Sequence, residues 1–305
     1  MSLPLYTIKK MNPYIKYFDV SMRDGLQSLT KIYSLQEKQI MLNKIMKKYN
    51  PHSLEVGSLV SNKLIPQMAD SYELYKYANE KYNINMNLNI KSTLNNICKF
   101  YLLVPPTKKY LNIAKNLNIK NISLITSVSD EFQRKNVNQS IQETKDIIKE
   151  YLEVPGTFDN VKLYVSCITN CPITGKDKKN KDYIINELYE YLNINGIKEV
   201  CISDTCGDMK YEDFKHIIDY LSIDMKYKLD KLSLHLHVKN EDTIEKIIEY
   251  SVASNIYKFD VSCLENSGGC ITTFDDKTKM NSNLTYDKLY KVLYNCNLYT
   301  LISNI

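Results

Sequence analysis

The residues of this chain best suited to chemistry stand far apart. Arg23-Asp24-Gly25 follows the first apolar run, and His235-Leu236-His237 closes another more than two hundred residues later. The chain has only four histidines, and two of them are one residue apart. On a strand, side chains at i and i+2 share a face, so His235 and His237 look the same way. Two imidazoles and a carboxylate can hold a divalent cation while leaving coordination positions open for a substrate. The bland alternatives are two satisfied core or edge histidines, and a simple turn at Asp24-Gly25.

Positioning such a set is the task of the elements around it. Short apolar runs alternate with longer amphipathic ones. Strands are expected at Lys16–Val20, Ser53–Gly57, Phe100–Val104, Asn121–Thr126, Val161–Cys167, Glu199–Ser203, Lys231–His235 and Lys258–Ser262. Helical spacing of apolar residues marks Gln36–Tyr49, Ile141–Tyr151, Tyr183–Leu192, Phe214–Leu221 and Thr243–Ala253. The stretch Ala69–Cys98 reads as an extended second helix plus an inserted loop, within which Asn85–Ile90 alternates like a strand. Eight strand-then-helix units predict a (β/α)8 TIM barrel, a single domain over residues 1–305 with its barrel core at about 15–296.

In such a barrel the chemistry gathers at the C-terminal ends of the strands. The polar residues of this sequence collect there. Arg23 and Asp24 follow strand 1, Glu55 and Ser58 end strand 2, and Cys167 ends strand 5. Asp204 and Thr205 follow strand 6, the histidines end strand 7, and Ser267-Gly268-Gly269-Cys270 follows strand 8. Closure sets strand 8 beside strand 1, which brings Asp24 within reach of the histidine pair. A carboxylate such as Glu55 in an apolar strand demands a partner.

The bulk numbers narrow the function classes. The chain has 305 residues, 44% of them hydrophobic, and a net charge of +5 spread as interleaved Lys, Asp and Glu. That pattern argues against a nucleic-acid partner and suits an anionic small molecule. No stretch reads as a transmembrane segment, and the N-terminus lacks the apolar core of a signal peptide, so the expected setting is the cytoplasm. Eight cysteines there are expected to be thiols. The spacings Cys167-x3-Cys171 and Cys201-x4-Cys206 are wrong for a zinc knuckle. The basic run Lys176–Lys181 reads either as a solvated surface or as a contact for ligand phosphates. Asn283-Leu284-Thr285 matches a glycosylation sequon, but no secretory route supports that use.

Taken together, several blocks resemble one family. They are Asp19-Val20-Ser21-Met22-Arg23-Asp24-Gly25-Leu26-Gln27, Leu54-Glu55-Val56-Gly57-Ser58 and Ile65-Pro66-Gln67-Met68-Ala69-Asp70. Further on come Ser129-Asp130-Glu131-Phe132, Tyr164-Val165-Ser166-Cys167, Cys171-Pro172, Gly175-Lys176, Asp204-Thr205, His235-Leu236-His237 and Gly268-Gly269-Cys270. From about Tyr17 to about Leu293 the chain resembles the 3-hydroxy-3-methylglutaryl-CoA lyases of the DRE-TIM metallolyase group. The resemblance implies that Asp24, His235, His237 and Asn283 are ligands of Mg2+ or Mn2+. It implies that Arg23 neutralises substrate oxygens, and that Glu55 and Asp204 belong to the proton-transfer network. Cys270 would then be a mobile acid/base thiol on a glycine lid, and Lys176 a contact for coenzyme A phosphates. The partner implied is a small acyl-CoA, and a homodimer is compatible with it.

The implied reaction is a retro-Claisen cleavage to acetoacetate and acetyl-CoA. Such chemistry needs a hydroxyl proton removed and an enolate stabilised, which a metal and a guanidinium supply. The sequence departs from the family pattern at Ser28–Thr30, Val238–Glu241, Leu264–Ser267, Ile271 and Ser282. These positions surround the expected ligands and bear on lid geometry and on the acyl group accepted. A related Claisen-type synthase is the first alternative, although such enzymes typically carry a sizeable C-terminal extension. A catalytically impaired relative kept as a binding protein is the second.

Overall fold

In the computed structural model, the described residues are 14–83, 97–175, 181–265, 267–269 and 281–295. Eight parallel strands close on themselves. They are β1 (Lys16–Asp19), β2 (Ser53–Ser58), β3 (Lys99–Leu103), β4 (Asn121–Ser127), β5 (Asn160–Ser166), β6 (Ile197–Ser203), β7 (Leu232–His235) and, one step further along the chain, β9 (Lys258–Val261). Closure is made where Lys16–Asp19 pairs in register with Lys258–Val261. Between β7 and β9 the chain inserts β8 (His237–Val238), which pairs antiparallel with β10 (Ser282–Asn283) outside the barrel. The fold is a single-domain TIM barrel, as the alternation of elements predicts, and every barrel strand lies within about three residues of its expected position.

The connecting helices carry their own start signals. Ser34 and Ser140 each open a helix (Leu35–Lys48 and Ile141–Leu152) with a reciprocal capping box to Glu37 and Glu143. Thr107, Ser129 and Asn240 cap Lys108–Asn116, Asp130–Val137 and Glu241–Ala253 with a single side-chain acceptor. Each such cap is worth about 1 kcal/mol. Helix Asp130–Val137 is absent from the sequence expectation because its eight residues are mostly polar, leaving no apolar stripe to read. Asn138, in the left-handed region at φ 58°, ends it and lets the next helix start at Ile141. The second helix occupies Ser71–Asn83, while Asn85–Ile90 lies outside the described residues. No helix among the described residues is long and apolar enough to cross a membrane.

Two kinds of core result. The large one lies between strands and helices and includes Leu54, Phe100, Ile122, Leu163, Val200, Leu234 and Phe259, all 0–1% exposed. Inside the barrel the apolar groups form only small islands, Phe18 with Val20 and Tyr101, and Leu103 with Tyr164 and Cys201. The gap between them is filled by charge. Lys162 on β5 reaches across to Asp260 on β9 and sits 3.7 Å above the Phe18 ring of β1. Strands that are not neighbours can meet this way only through the barrel interior.

Candidate active site

The first ligand candidate is placed by the end of β1. One wide π-type turn, Ser21–Gly25, leaves the strand and is buried throughout. Asp19 anchors it by accepting the Ser21 N–H at 2.8 Å and the Tyr286 hydroxyl at 2.9 Å. The turn delivers Arg23 and Asp24 side by side. Gly25 packs closely there: a Cβ would lie 3.0 Å from Leu264 Cδ1, which would have to shift by a few tenths of an ångström.

The histidines arrive from the other side. His235 is the last residue of β7 and His237 the first of β8, so the strand is interrupted at Leu236. Their rings nevertheless converge, with the two Nε2 atoms 3.2 Å apart. Asp24 Oδ2 stands 4.0 Å from His235 Nε2, and one donor atom from each of Asp24, His235 and His237 falls within a 4.8 Å group. Pairing of β10 with β8 then sets Asn283 opposite His237. The Asn283 amide donates to Asp24 Oδ2 at 2.9 Å, and the Gly269 N–H donates to the same oxygen at 3.0 Å.

Hydrogen-bond partners assign the proton on each ring. His237 Nδ1 lies 2.9 Å from the Asn281 carbonyl, which can only accept, so Nδ1 carries the proton and Nε2 a lone pair. His235 Nδ1 lies 3.2 Å from Asp260 Oδ2, which leads to the same tautomer. Two lone pairs therefore face one another beside a carboxylate. Asn283 Oδ1, fully buried, has no hydrogen-bond partner. Two imidazole nitrogens and a carboxylate form a donor set that fits a divalent cation, and the orphaned amide oxygen of Asn283, on a side chain already bonded to Asp24, is a further buried donor without a partner.

The electrostatics agree. Burial pushes the Asp24 carboxyl up, but the fields of Arg23, His235 and His237, with the Gly269 N–H, outweigh it and hold the group well below the usual carboxylate range. His237 is held down to about 4, by burial first and by His235 second, so it is neutral at physiological pH, as a metal ligand must be. Arg23 is opposed by burial but kept firmly charged by Glu55 and Asp24. Its Nη1 donates to Asp24 Oδ1 at 2.6 Å and its Nε to Glu55 Oε2. Glu55 faces inward by alternation between Leu54 and Val56, and the register shift between Glu55 and Gly57 then brings Ser58 to the cavity side. Gly57 must lack a side chain because a Cβ would overlap Ser71, lying 2.6 Å from that residue's own Cβ.

A cavity of about 140 Å³ opens over this cluster. Arg23, Asp24, Ser203, Thr205, His235 and His237 make its polar wall. Val60, Leu64, Ile65, Leu103, Phe132 and Val137 make the apolar one. Two buried hydroxyls on the cavity, Ser58 Oγ and Tyr164 OH, have no hydrogen-bond partner.

A family model described as HMGL-like matches residues 14–243, three-quarters of the chain and every polar residue just named on the cavity. The chain belongs to the HMGL-like family. Members of this family are carbon–carbon lyases and aldolases, and the Asp24, His235 and His237 cluster is consistent with a divalent metal site of HMGL-like enzymes. The chain is 25% identical over 258 residues to the 3-hydroxy-3-isohexenylglutaryl-CoA/hydroxymethylglutaryl-CoA lyase of Pseudomonas aeruginosa, covering 84% of this chain and 78% of that protein. It is 28% identical over 194 residues to the mitochondrial hydroxymethylglutaryl-CoA lyase of Bos taurus, where the match covers 63% of this chain and about half, 54%, of the relative. Among solved structures, an HMG-CoA lyase from Acinetobacter baumannii in complex with coenzyme A and 3-methylmalate superposes with a TM-score of 0.75 at 20% identity, covering 97% of this chain and 86% of that one. A hydroxymethylglutaryl-CoA lyase from Pseudomonas aeruginosa superposes with a TM-score of 0.72 at 22% identity, covering 94% of this chain and 87% of that one.

Placed on this HMGL-like barrel, the residues singled out from sequence divide into three groups. Arg23, Asp24, Glu55, His235, His237 and Asn283 come together. Asp204 is nearby but turned away. It is fully buried, accepts the N–H groups of Asp208 and Met209 at 3.1 Å each, and does not line the cavity. Burial lifts its carboxyl to about 7, partly opposed by the Met209 N–H. The reason is alternation at the end of β6, which gives the cavity to Ser203 and Thr205 and the following turn to Asp204. Lys176 and Cys270 lie outside the described residues. Sequence reasoning passed over Lys162 and Asp260, although both interrupt apolar strands. The argument that singled out Glu55, that a charge in a buried strand needs a partner, applies to them equally.

Proposed function

We propose that this chain is a divalent-metal-dependent acyl-CoA lyase that cleaves 3-hydroxy-3-methylglutaryl-CoA to acetoacetate and acetyl-CoA. The observation that carries the reading is the convergence of two imidazole lone pairs and the Asp24 carboxylate beside a buried, charged Arg23, with the Asn283 side chain bonded to the same carboxylate. The names of the relatives point the same way.

Asp24, His235, His237 and Asn283 would hold Mg2+ or Mn2+. When bound, that ion polarises substrate oxygens and lowers the pKa of the tertiary hydroxyl. In the cleavage, the hydroxyl proton would pass to the proton-transfer network of Glu55, whose Oε1 has no hydrogen-bond partner, the bond between C2 and C3 breaks, and C3 becomes the ketone of acetoacetate. The electron pair passes to C2 and the thioester oxygen. Arg23 meets that growing negative charge without titrating, and Glu55 holds its guanidinium in place. The Ser58 and Tyr164 hydroxyls would bind substrate oxygens, which supplies the partners they lack. The apolar wall from Val60 to Val137 keeps water from the enolate until C2 takes a proton, a role proposed for the Cys270 thiol. Asp204, given its placement, would act through the turn at Gly207 and not by touching substrate. Lys176 is the proposed contact for coenzyme A phosphates.

The test is direct. Purified protein is incubated with the acyl-CoA and Mg2+ or Mn2+, and acetoacetate is followed. Turnover that vanishes in chelator and returns with metal is expected. Measurable metal binding with no product under either ion would sink the reading. Running 3-hydroxy-3-isohexenylglutaryl-CoA alongside sorts the acyl preference.

A further inference from the structure

Beneath the site lies a charged group that the proposed reaction does not use. Lys162 and Asp260 are each 1–2% exposed, deep in the barrel interior. Lys162 is ion-paired with Asp260 Oδ1 and lies 3.0 Å from Glu199 Oε1. The other Asp260 oxygen, Oδ2, lies 3.2 Å from His235 Nδ1. Burying two charges costs several kcal/mol each, and such a pair is often no more stabilising than apolar residues of equal volume. Stability alone is therefore a poor reason for it.

Its geometry supplies a better one. The ammonium of Lys162 keeps Asp260 a carboxylate, and a carboxylate can only accept. His235 must then keep its proton on Nδ1 and turn the Nε2 lone pair toward Asp24 and His237. His237 is fixed in the same tautomer by a neutral acceptor, the Asn281 carbonyl. The two rings are thus aimed by different devices, and only that of His235 carries charge. A carboxylate behind an imidazole also makes it a more basic ligand.

We infer that Asp260, held by Lys162, is a positioning residue that fixes the tautomer and ring orientation of His235 for cation binding. This rests on the metal-site reading above. Replacing Asp260 by asparagine makes a sharp prediction. The amide oxygen would turn to the Lys162 ammonium, and the NH2 would face His235 Nδ1. That nitrogen would have to become the acceptor, moving the ring proton to Nε2, into the cation site.

Two variants test this. In Asp260→Asn, 15N–1H spectra of the metal-free protein, recorded where the imidazole is neutral, should show His235 switched from the Nδ1–H to the Nε2–H form. Its Mn2+ dissociation constant by titration calorimetry should rise about 10- to 100-fold. The pair Lys162→Met with Asp260→Leu, made together with Glu199→Gln so that no carboxylate is left without its counterion, should melt close to the wild type yet show the same order of affinity loss. Retention of the Nδ1–H form in Asp260→Asn, or wild-type Mn2+ affinity in both variants, would overturn the inference. Should the wild type bind no Mn2+, the metal-site reading fails instead, and the tautomer spectrum, which needs no metal, still decides the role of Asp260.

Discussion

Gly268→Ala is the most telling single change outside the ligand set. Gly268 sits at φ 121°, where only glycine is at ease, and a Cβ built there lies 2.5 Å from Asn283 Cγ and 2.7 Å from Asn283 Oδ1. The backbone strain alone costs about 1–3 kcal/mol. The side-chain overlap must be relieved by retreat of Asn283, which loses its 2.9 Å hydrogen bond to the Asp24 carboxylate, worth about 1.5–3 kcal/mol. The sum is roughly 3–6 kcal/mol, a melting-point fall of about 6–12 °C at roughly 2 °C per kcal/mol for a chain of this size. If Asn283 is the fourth ligand as proposed, its retreat should also lower Mn2+ affinity by at least about tenfold. Gly156→Ala is the control. It has φ 77° and nothing within 4 Å of the added carbon, so it should cost only about 1–2 kcal/mol and leave Mn2+ affinity unchanged. Thermal melts and calorimetric titrations of both variants decide the matter. If Gly268→Ala melts no lower than Gly156→Ala, or binds Mn2+ as tightly as the wild type, the close approach of the glycine loop to Asn283 is wrong.

Two further outcomes follow from the same charges. Glu55→Gln removes one of the two counterions of buried Arg23 and should cost about 2–4 kcal/mol in urea unfolding, less than a fully broken buried pair because Asp24 remains; an unchanged midpoint would show that the pair contributes nothing. Asp19, which burial lifts from 3.8 to about 6 against hydrogen bonds from Ser21 and Tyr286, keeps a proton in the folded chain that the unfolded chain loses between about pH 4 and 6. Its contribution to stability is therefore present below about pH 4 and lost as pH rises, by at most about 3 kcal/mol. His237 has the opposite sign in the same window, since its depressed pKa makes the unfolded chain the better proton binder. Subtracting the metal-free stability profile of Asp19→Asn from that of the wild type isolates the carboxyl, and a difference that stays flat from pH 4 to 7 would refute the shift.

Much of this molecule was legible in one dimension. Strand positions followed from apolar runs a few residues long, and helices such as Gln36–Tyr49 from the spacing of their apolar residues, because both depend on neighbours within four residues; the cap of Ser34 with Glu37 was passed over. The His235 and His237 spacing announced two imidazoles facing one way, and Glu55 announced a buried partner. The helix Asp130–Val137 was not legible, because its polar face hides the period that marks an amphipathic helix.

The order of apolar runs already specifies the barrel and the types of residue at its strand ends. The tertiary structure alone decided which of them meet. Closure of β1 on β9 carries Asp24 to the histidines, the β8–β10 pair sets Asn283 beside them, and Lys162 crosses the interior to Asp260. It also turned Asp204 into its own loop, a matter of one residue past the end of β6. The physical reason is range. Period and propensity act over a turn or two of chain, whereas the bond between Asn283 and Asp24 joins residues 259 apart, and only packing of the whole barrel fixes it.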